Sequence, residues 1–495
     1  MMSEAQTRKQ KIDIKLKKLG WIVTPYHLGL NTSLLSIHAV EEYPTSNGPA
    51  DYALFIKGKL LGIVEAKKYG VGAQNVLEQA KRYAKGVVHN IGRWGEYMVP
   101  FLFSSSGEQV YFLDVRNRIN TSRSLQDFYS PDALWEFYNR DIAQSYSWLQ
   151  QTAIDNPYLR PYQKKAIAAI EEAVINGRRK MLVAMATGTG KTFTSVNLIY
   201  RLLKSKTAKR ILFLVDRKAL AAQTATAFAA FETPAGNKLN QEYELYSQRF
   251  RKEELEEGEK FDVSVLPNEY LTKPDATKTF VYVATIQRMA INLLGREAIF
   301  KGDDQDEETD ATKLDIPIHA FDIIIADECH RGYTSHESNV WRSVLEYFDA
   351  IKIGLTVTPA AHTTAYFDTP VYRYTVKEAV IDGFLVDYDA VKISSDVRIN
   401  GVFLKEGEQV GKLDTESGQL KIEGLEDERA FDASEVERKI TSPDSNRKIV
   451  LEIAKYALEF EKENGRFPKI LFFASNDIAN ISHADSLVNI CKEIL

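Results

Sequence analysis

One heptapeptide constrains this chain more than any other feature. Ala186-Thr187-Gly188-Thr189-Gly190-Lys191-Thr192 follows the apolar run Met181–Met185 and leads into a stretch with helical spacing. A glycine-rich turn between a strand and a helix is the setting of a phosphate-binding loop. Thr187, Gly188, Thr189 and Gly190 would wrap main-chain N–H groups around phosphate oxygens, and the helix N-terminus adds partial positive charge. Lys191 would reach the β- and γ-phosphates, and the Thr192 hydroxyl would ligate Mg2+. Ala186 stands where the G-x-x-x-x-G-K-[ST] pattern has its first glycine.

The surroundings fit such a loop. Met181–Met185, Ile211–Val215, Phe280–Ala284, Phe321–Ala326 and Ile351–Leu355 are short apolar runs separated by helical stretches. That rhythm predicts an α/β fold with a parallel sheet buried on both faces. The fourth run delivers Asp327-Glu328-Cys329-His330. Carboxylates at the C-terminal end of a parallel strand lie where such sheets bind ligands. Asp327 would hold Mg2+ through its water shell, and Glu328 would take a proton from an attacking water. Cys329 reads as a small packed side chain.

Upstream, a second pattern covers residues 1–145. Ser3-x-x-Gln6 is a capping box opening a helix on which Ile12, Leu16 and Leu19 recur. Residues 34–43 read as a strand, and 52–66 as a hairpin turning at Lys57-Gly58-Lys59. A helix over 73–86 and strands at Phe101–Phe103 and Gln109–Leu113 follow. Glu65 and Lys67 are two apart on one strand and so share a face; in-register pairing places Asp51 opposite them. Two carboxylates can hold a hard cation such as Mg2+ beside a phosphodiester, with the lysine positioning or deprotonating a water. Gln79 and Tyr83 share one face of the helix. Glu4 is read as an acidic residue favoured in a helix's first turn, with a place in the metal site as the alternative.

Composition adds exclusions. The 495 residues carry a net charge of −5, so any nucleic acid would meet a local basic surface and not a global field. Cys329 and Cys491 are the two cysteines, which offer neither a disulfide framework nor zinc-ligand spacing and fit a cytoplasmic location. The Lys- and Arg-rich start is followed by no apolar core of a signal peptide, and no stretch reaches the ~18 apolar residues of a membrane helix. Two acidic insertions, 252–260 and 303–310, read as solvated loops.

Taken together these motifs resemble the restriction (motor and endonuclease) subunit of type I restriction-modification enzymes. Asp327–His330 resembles the DExH box of superfamily 2 helicases and translocases, and Gly354–Pro359 their motif III, whose hydroxyls Thr356 and Thr358 would couple nucleotide to DNA movement. Val215-Asp216-Arg217 and Ala284–Arg288 resemble DNA-contacting motifs of that superfamily, and Leu159–Gln163 the segment whose Gln163 reads adenine. Pro49-Ala-Asp51…Glu65-x-Lys67 resembles the PD-(D/E)xK nucleases, with Ala50 inserted, and Gln79…Tyr83 the Q-x-x-x-Y motif that accompanies them.

The resemblance implies a PD-(D/E)xK nuclease-like domain at 1–145, a RecA-like motor domain at 150–394, a polar insertion at 395–446, and the start of a second RecA-like domain at 447–495 with a strand at Lys469–Ala474. It implies ATP and Mg2+ as cofactors, and double-stranded DNA and the methyltransferase and specificity subunits as partners, with no membrane. The activity implied is ATP-dependent translocation and cleavage of foreign DNA. No motif V or VI precedes Leu495, so the expectation is a truncated form with impaired translocation. The alternatives are a repair helicase with a DNA-binding N-terminal domain, and a non-catalytic ATP-binding remnant.

Overall fold

The structure is a computed structural model; it describes all residues except 1–2, 68–76, 89–90, 251–261, 300–309, 330–334, 389–401, 405–408, 414–419, 425–428, 432–442, 475–481 and 495. The chain divides into two compact units, Met1–Val386 and Asp387–Leu495. The expected boundary at 394–395 lies outside the described residues.

The first helix begins as expected. Ser3 caps it, with both hydrogen bonds of the capping box present. It runs through Glu4–Thr7, a π-helical turn at Arg8–Ile12, and Asp13–Lys18. A seven-stranded mixed sheet follows: β1 Ile22–Pro25, β2 Ile37–Thr45, β3 Gly48–Ile56, β4 Lys59–Ala66, β5 Phe101–Ser105, β6 Val110–Asp114 and β7 Arg123–Leu125, in spatial order β1 to β7. β3 and β4 pair antiparallel about a turn at Lys57-Gly58, with Tyr52 opposite Val64. Ile12, Leu16 and Leu134 pack with Tyr52, Leu54, Val64 and Phe103 in one core. The helix Leu77–Lys85 packs with Ala53, Phe55 and Ile63 in another. Alternate residues of the same strands thus feed two cores, as a pleated strand requires.

The second sheet is parallel throughout: β8 Lys180–Met185, β9 Arg210–Val215, β10 Glu244–Ser247, β11 Ser264–Val265, β12 Phe280–Thr285, β13 Ile323–Ala326, β14 Ile351–Thr356 and β15 Tyr372–Tyr374. Its order is β11-β10-β12-β9-β13-β14-β8-β15. Met181, Val183, Ile211, Phe213 and Ile325 join one core, whereas Leu182, Leu212, Leu214 and Ile324 join the other. Burial on both faces explains why these strands are continuous apolar runs.

The two sheets meet through charge as well as apolar packing. Asp349, just before β14, takes Arg123 of β7 at 2.7 Å and Arg179, just before β8, at 2.7 Å. Arg210, the first residue of β9, pairs with Glu136 of the helix Pro131–Asn139 at 3.0 Å. Arg140 pairs with Asp322, just before β13, at 2.7 Å. Arg179, Arg210, Asp322 and Asp349 all lie at the N-terminal ends of the parallel strands, so the layer built on the seven-stranded sheet docks on that end of the parallel sheet.

In the second unit a helix spans Pro443–Asn464, and another spans His483–Ile494. The expected strand Lys469–Ala474 is not formed: these residues run as irregular chain with Leu471 and Phe473 exposed. A strand exists through its pairing, and no described residue pairs with this one. The stretch expected as a plain polar insertion carries two antiparallel ribbons, Val402–Leu404 with Arg429–Phe431 and Gln409–Leu413 with Leu420–Gly424.

Candidate functional site

The phosphate loop leaves β8 and enters the helix Lys191–Lys204 with Gly188 at φ +80° and Gly190 at φ +76°. Left-handed backbone at both positions needs glycine. Thr187 and Gly188 are exposed, and Thr189 is buried with its hydroxyl donating to the Ala186 carbonyl at 2.6 Å. Lys191 lies 3.2 Å from Glu328, so the loop and the acidic box close on one another. Asp327 leaves β13 with its N–H on the Leu214 carbonyl, and its carboxylate accepts from the Glu328 N–H at 2.9 Å. Glu328 holds φ +49°, a left-handed conformation uncommon outside glycine. Thr192 is half-buried at the head of the helix. Thr356 is buried and donates to the carbonyl of exposed Thr358 at 3.1 Å. Burial pushes the Cys329 thiol well above its ordinary value, which fits a packed side chain. His330 lies outside the described residues.

Gln163, expected to read adenine, packs against the phosphate loop. It is buried; its carbonyl oxygen accepts from the Arg160 N–H at 2.9 Å, and its amide donates to the carbonyls of Thr189 at 3.0 Å and Gly190 at 3.2 Å. Tyr162 adds a hydroxyl to the Thr189 carbonyl at 2.9 Å and stacks on Tyr374 at 4.1 Å. In this arrangement Gln163 braces the loop from beneath. Arg160 lies 4.9 Å from the Phe384 ring centre.

The second cluster lies on β3, β4 and the first helix. Asp51 accepts from the Ala66 N–H at 2.7 Å, which carries its carboxylate across the hairpin to Glu65. Lys67 pairs with Glu65 at 2.8 Å. Carboxylate oxygens of Glu4, Asp51 and Glu65 lie within 4.8 Å of one another. Glu4 therefore belongs to the cluster, which corrects its reading as a first-turn acid only; the helix curls back over the hairpin, a path no local pattern reports. Glu65 Oε2 is buried and accepts from no described donor. Burial first, and then the charge of Asp51, push the Glu65 pKa up to about 7. Burial also raises Asp51, against the Ala66 N–H and the Arg8 guanidinium. Converging carboxylates with an unpartnered buried oxygen suit a hard divalent cation. Tyr83 is buried at this side of β4, where burial and the Glu65 charge raise its hydroxyl, and Gln79 is half-buried one turn earlier.

The residues expected to bind nucleotide sit at the C-terminal ends of β8, β13 and β14, the end of the sheet opposite the seven-stranded layer. The six residues of β8 and of β14 separate the two ends by roughly 20 Å.

Comparison with known proteins adds the following. Residues 156–361 match the family model described as "Type III restriction enzyme, res subunit". Residues 25–138 match the second domain of the type I restriction enzyme EcoKI endonuclease subunit. The EcoKI endonuclease subunit of Escherichia coli (strain K12) is 30% identical, over 98% of this chain and 43% of that protein. The EcoAI endonuclease subunit of Escherichia coli is 29% identical, over 90% of this chain and 48% of that protein. Among solved structures, a fragment described as an HsdR subunit of a type I restriction enzyme from Vibrio vulnificus YJ016 aligns with a TM-score of 0.37 at 21% identity, over 99% of this chain and 74% of that one. The chain spans less than half the length of these curated relatives.

Proposed function

We propose that this chain belongs to the endonuclease-subunit family of type I restriction enzymes, whose members it matches along most of its length, and that it is an ATP- and Mg2+-dependent motor and nuclease acting on double-stranded DNA. The methyltransferase and specificity subunits of such a system would supply site recognition. We assign residues 1–145 as the PD-(D/E)xK cutting domain and 150–394 as the RecA-like motor domain. Among the described residues no helix is long and apolar enough to cross a membrane, and the cytoplasm is the compartment proposed.

The observation that carries the reading is the Glu4–Asp51–Glu65 cluster, with the orphaned Glu65 Oε2 at its centre and Lys67 at its flank. These groups fit a divalent cation, which when bound would polarise a phosphodiester. Lys67, held by Glu65, would orient a water and offset charge developing on the phosphate. The nucleotide-binding half rests on Lys191 and Glu328. Lys191 would turn from Glu328 to the phosphates, freeing the Glu328 carboxylate to take a proton from water. Asp327 and Thr192 would hold the second Mg2+. Gln163 would hold the loop in shape, and Thr356 and Thr358 would relay loop movement to the DNA track, with Gln79 and Tyr83 accessory to the cutting site.

Glu65→Ala and Lys67→Ala, assayed on plasmid DNA with partner subunits present, should abolish cleavage and leave ATP affinity unchanged. Lys191→Ala should lower ATP affinity, and ATP-dependent cleavage with it. Loss of ATP binding in the first pair would overturn the assignment of two separate sites.

A further inference from the structure

We propose that Arg8 is the phosphate-binding cation of the cutting site, held on Asp51 and aimed at the DNA backbone; this rests on the nuclease reading above. Arg8 sits one helical turn after Glu4, at the start of the π-helical turn Arg8–Ile12. Single π turns within α-helices are frequent at functional sites because the extra residue re-aims the side chains around it. Arg8 Nη1 lies 3.0 Å from Asp51 Oδ1, and the same nitrogen pairs with Glu42. Its guanidinium lies 5.3 Å from the centre of the Tyr52 ring, whose hydroxyl donates to Asp13 at 2.6 Å. Lys9 leaves the neighbouring position to pair with Asp13 and Glu41.

Charge balance gives Arg8 a task that Lys67 cannot fill alone. The three carboxylates outnumber the charges of one divalent cation, and a phosphodiester brings a further negative charge. Lys67 offsets one of these from the Glu65 side, and Arg8 stands on the Asp51 side. A planar guanidinium presents several N–H donors at once, so Arg8 can keep Asp51 while donating to a phosphate oxygen, which an ammonium does poorly. Glu42 supplies the release point. It is 56% exposed, and its φ of +52° lies in the left-handed region in the middle of β2. A non-glycine residue in that conformation is strained. Here it places a solvent-facing carboxylate next to Arg8 that a phosphate can displace without uncovering a buried charge.

The test uses the full chain without nucleotide. Mn2+ binding is followed by electron paramagnetic resonance, and a short fluorescent duplex is titrated by anisotropy with and without Ca2+. Arg8→Ala should keep the Mn2+ site that Glu65→Ala removes, and lose the Ca2+-dependent part of duplex affinity by roughly tenfold, the scale of one charge-assisted hydrogen bond. Added guanidinium should restore part of that loss, and Arg8→Lys should recover less than the rescued alanine variant. Arg8→Ala with parental Ca2+-dependent duplex affinity overturns the proposal and leaves the nuclease reading standing. Arg8→Ala that loses the Mn2+ site also overturns it, because Arg8 would then only order the carboxylates. Glu65→Ala with parental Mn2+ binding overturns the metal site itself.

Discussion

Asp349 is the residue on which the joint between the two sheets turns. It is 4% exposed and lies between Arg123 of the seven-stranded sheet and Arg179 beside the parallel sheet. Arg123 reaches it with two nitrogens, each at 2.7 Å, and Tyr129 donates its hydroxyl to the same carboxylate. The two guanidiniums hold this carboxyl well below the usual range. Asp349→Asn keeps the shape and removes the charge. Arg123, 19% exposed, would be left without a counter-ion at about 3 kcal/mol, the scale of breaking a buried pair. Arg179 is 35% exposed, and its share is screened to below about 1 kcal/mol. The sum is about 3 kcal/mol, or roughly a 150-fold rise in local opening. Hydrogen exchange of the β7 and β9 amides reads that opening directly. The effect should be flat from pH 5 to 8, because a depressed carboxyl loses its contribution only below its ordinary pKa. Replacing all three groups with apolar residues, as Arg123→Met, Asp349→Leu and Arg179→Met together, should recover most of the loss. Exchange in Asp349→Asn within about fivefold of the parent would refute the reasoning, since it would place the cost below ~1 kcal/mol.

Two further outcomes follow from the same geometry. Gly190→Ala would put a Cβ 2.6 Å from Gln163 Nε2 at φ +76°. The backbone term alone is about 1–2 kcal/mol, so nucleotide affinity measured by calorimetry should fall roughly tenfold or more; parental affinity would show that the loop re-forms freely. His319 is buried in the seam, and that burial holds its pKa down to about 4 from an ordinary 6.5. The unfolded chain takes up a proton between these values and the folded chain does not. The His319 contribution to stability should therefore decline by up to about 3 kcal/mol as pH falls from about 6.5 toward 4, while Glu65, raised to about 7, works in the opposite direction over the same range. The stability difference between the parent and His319→Phe isolates the His319 decline, read above pH 5, where Glu136 and Asp322, both held below their ordinary values, do not yet titrate.

What the sequence settled by itself was local or periodic. The phosphate loop was legible because its chemistry lies within seven consecutive residues, and Gly188 and Gly190 take the positive φ that such a turn requires. The strands of the parallel sheet were legible because burial on both faces leaves unbroken apolar runs. Asp51, Glu65 and Lys67 were legible as one cluster because a hairpin's register and a strand's period of two fix which side chains meet. The remainder depended on contacts between distant parts of the chain. Glu4 and Arg8 join the Asp51–Glu65–Lys67 cluster only because the first helix folds back over β3. Sequence marks Gln163 only by its place before the loop; the packed fold is what directs its amide to the Thr189 and Gly190 carbonyls. Asp349 meets Arg123 across 226 residues, a separation over which no propensity or period carries information. Lys469–Ala474 has the composition of a strand, but a strand takes its hydrogen bonds from a neighbour, and composition does not supply one.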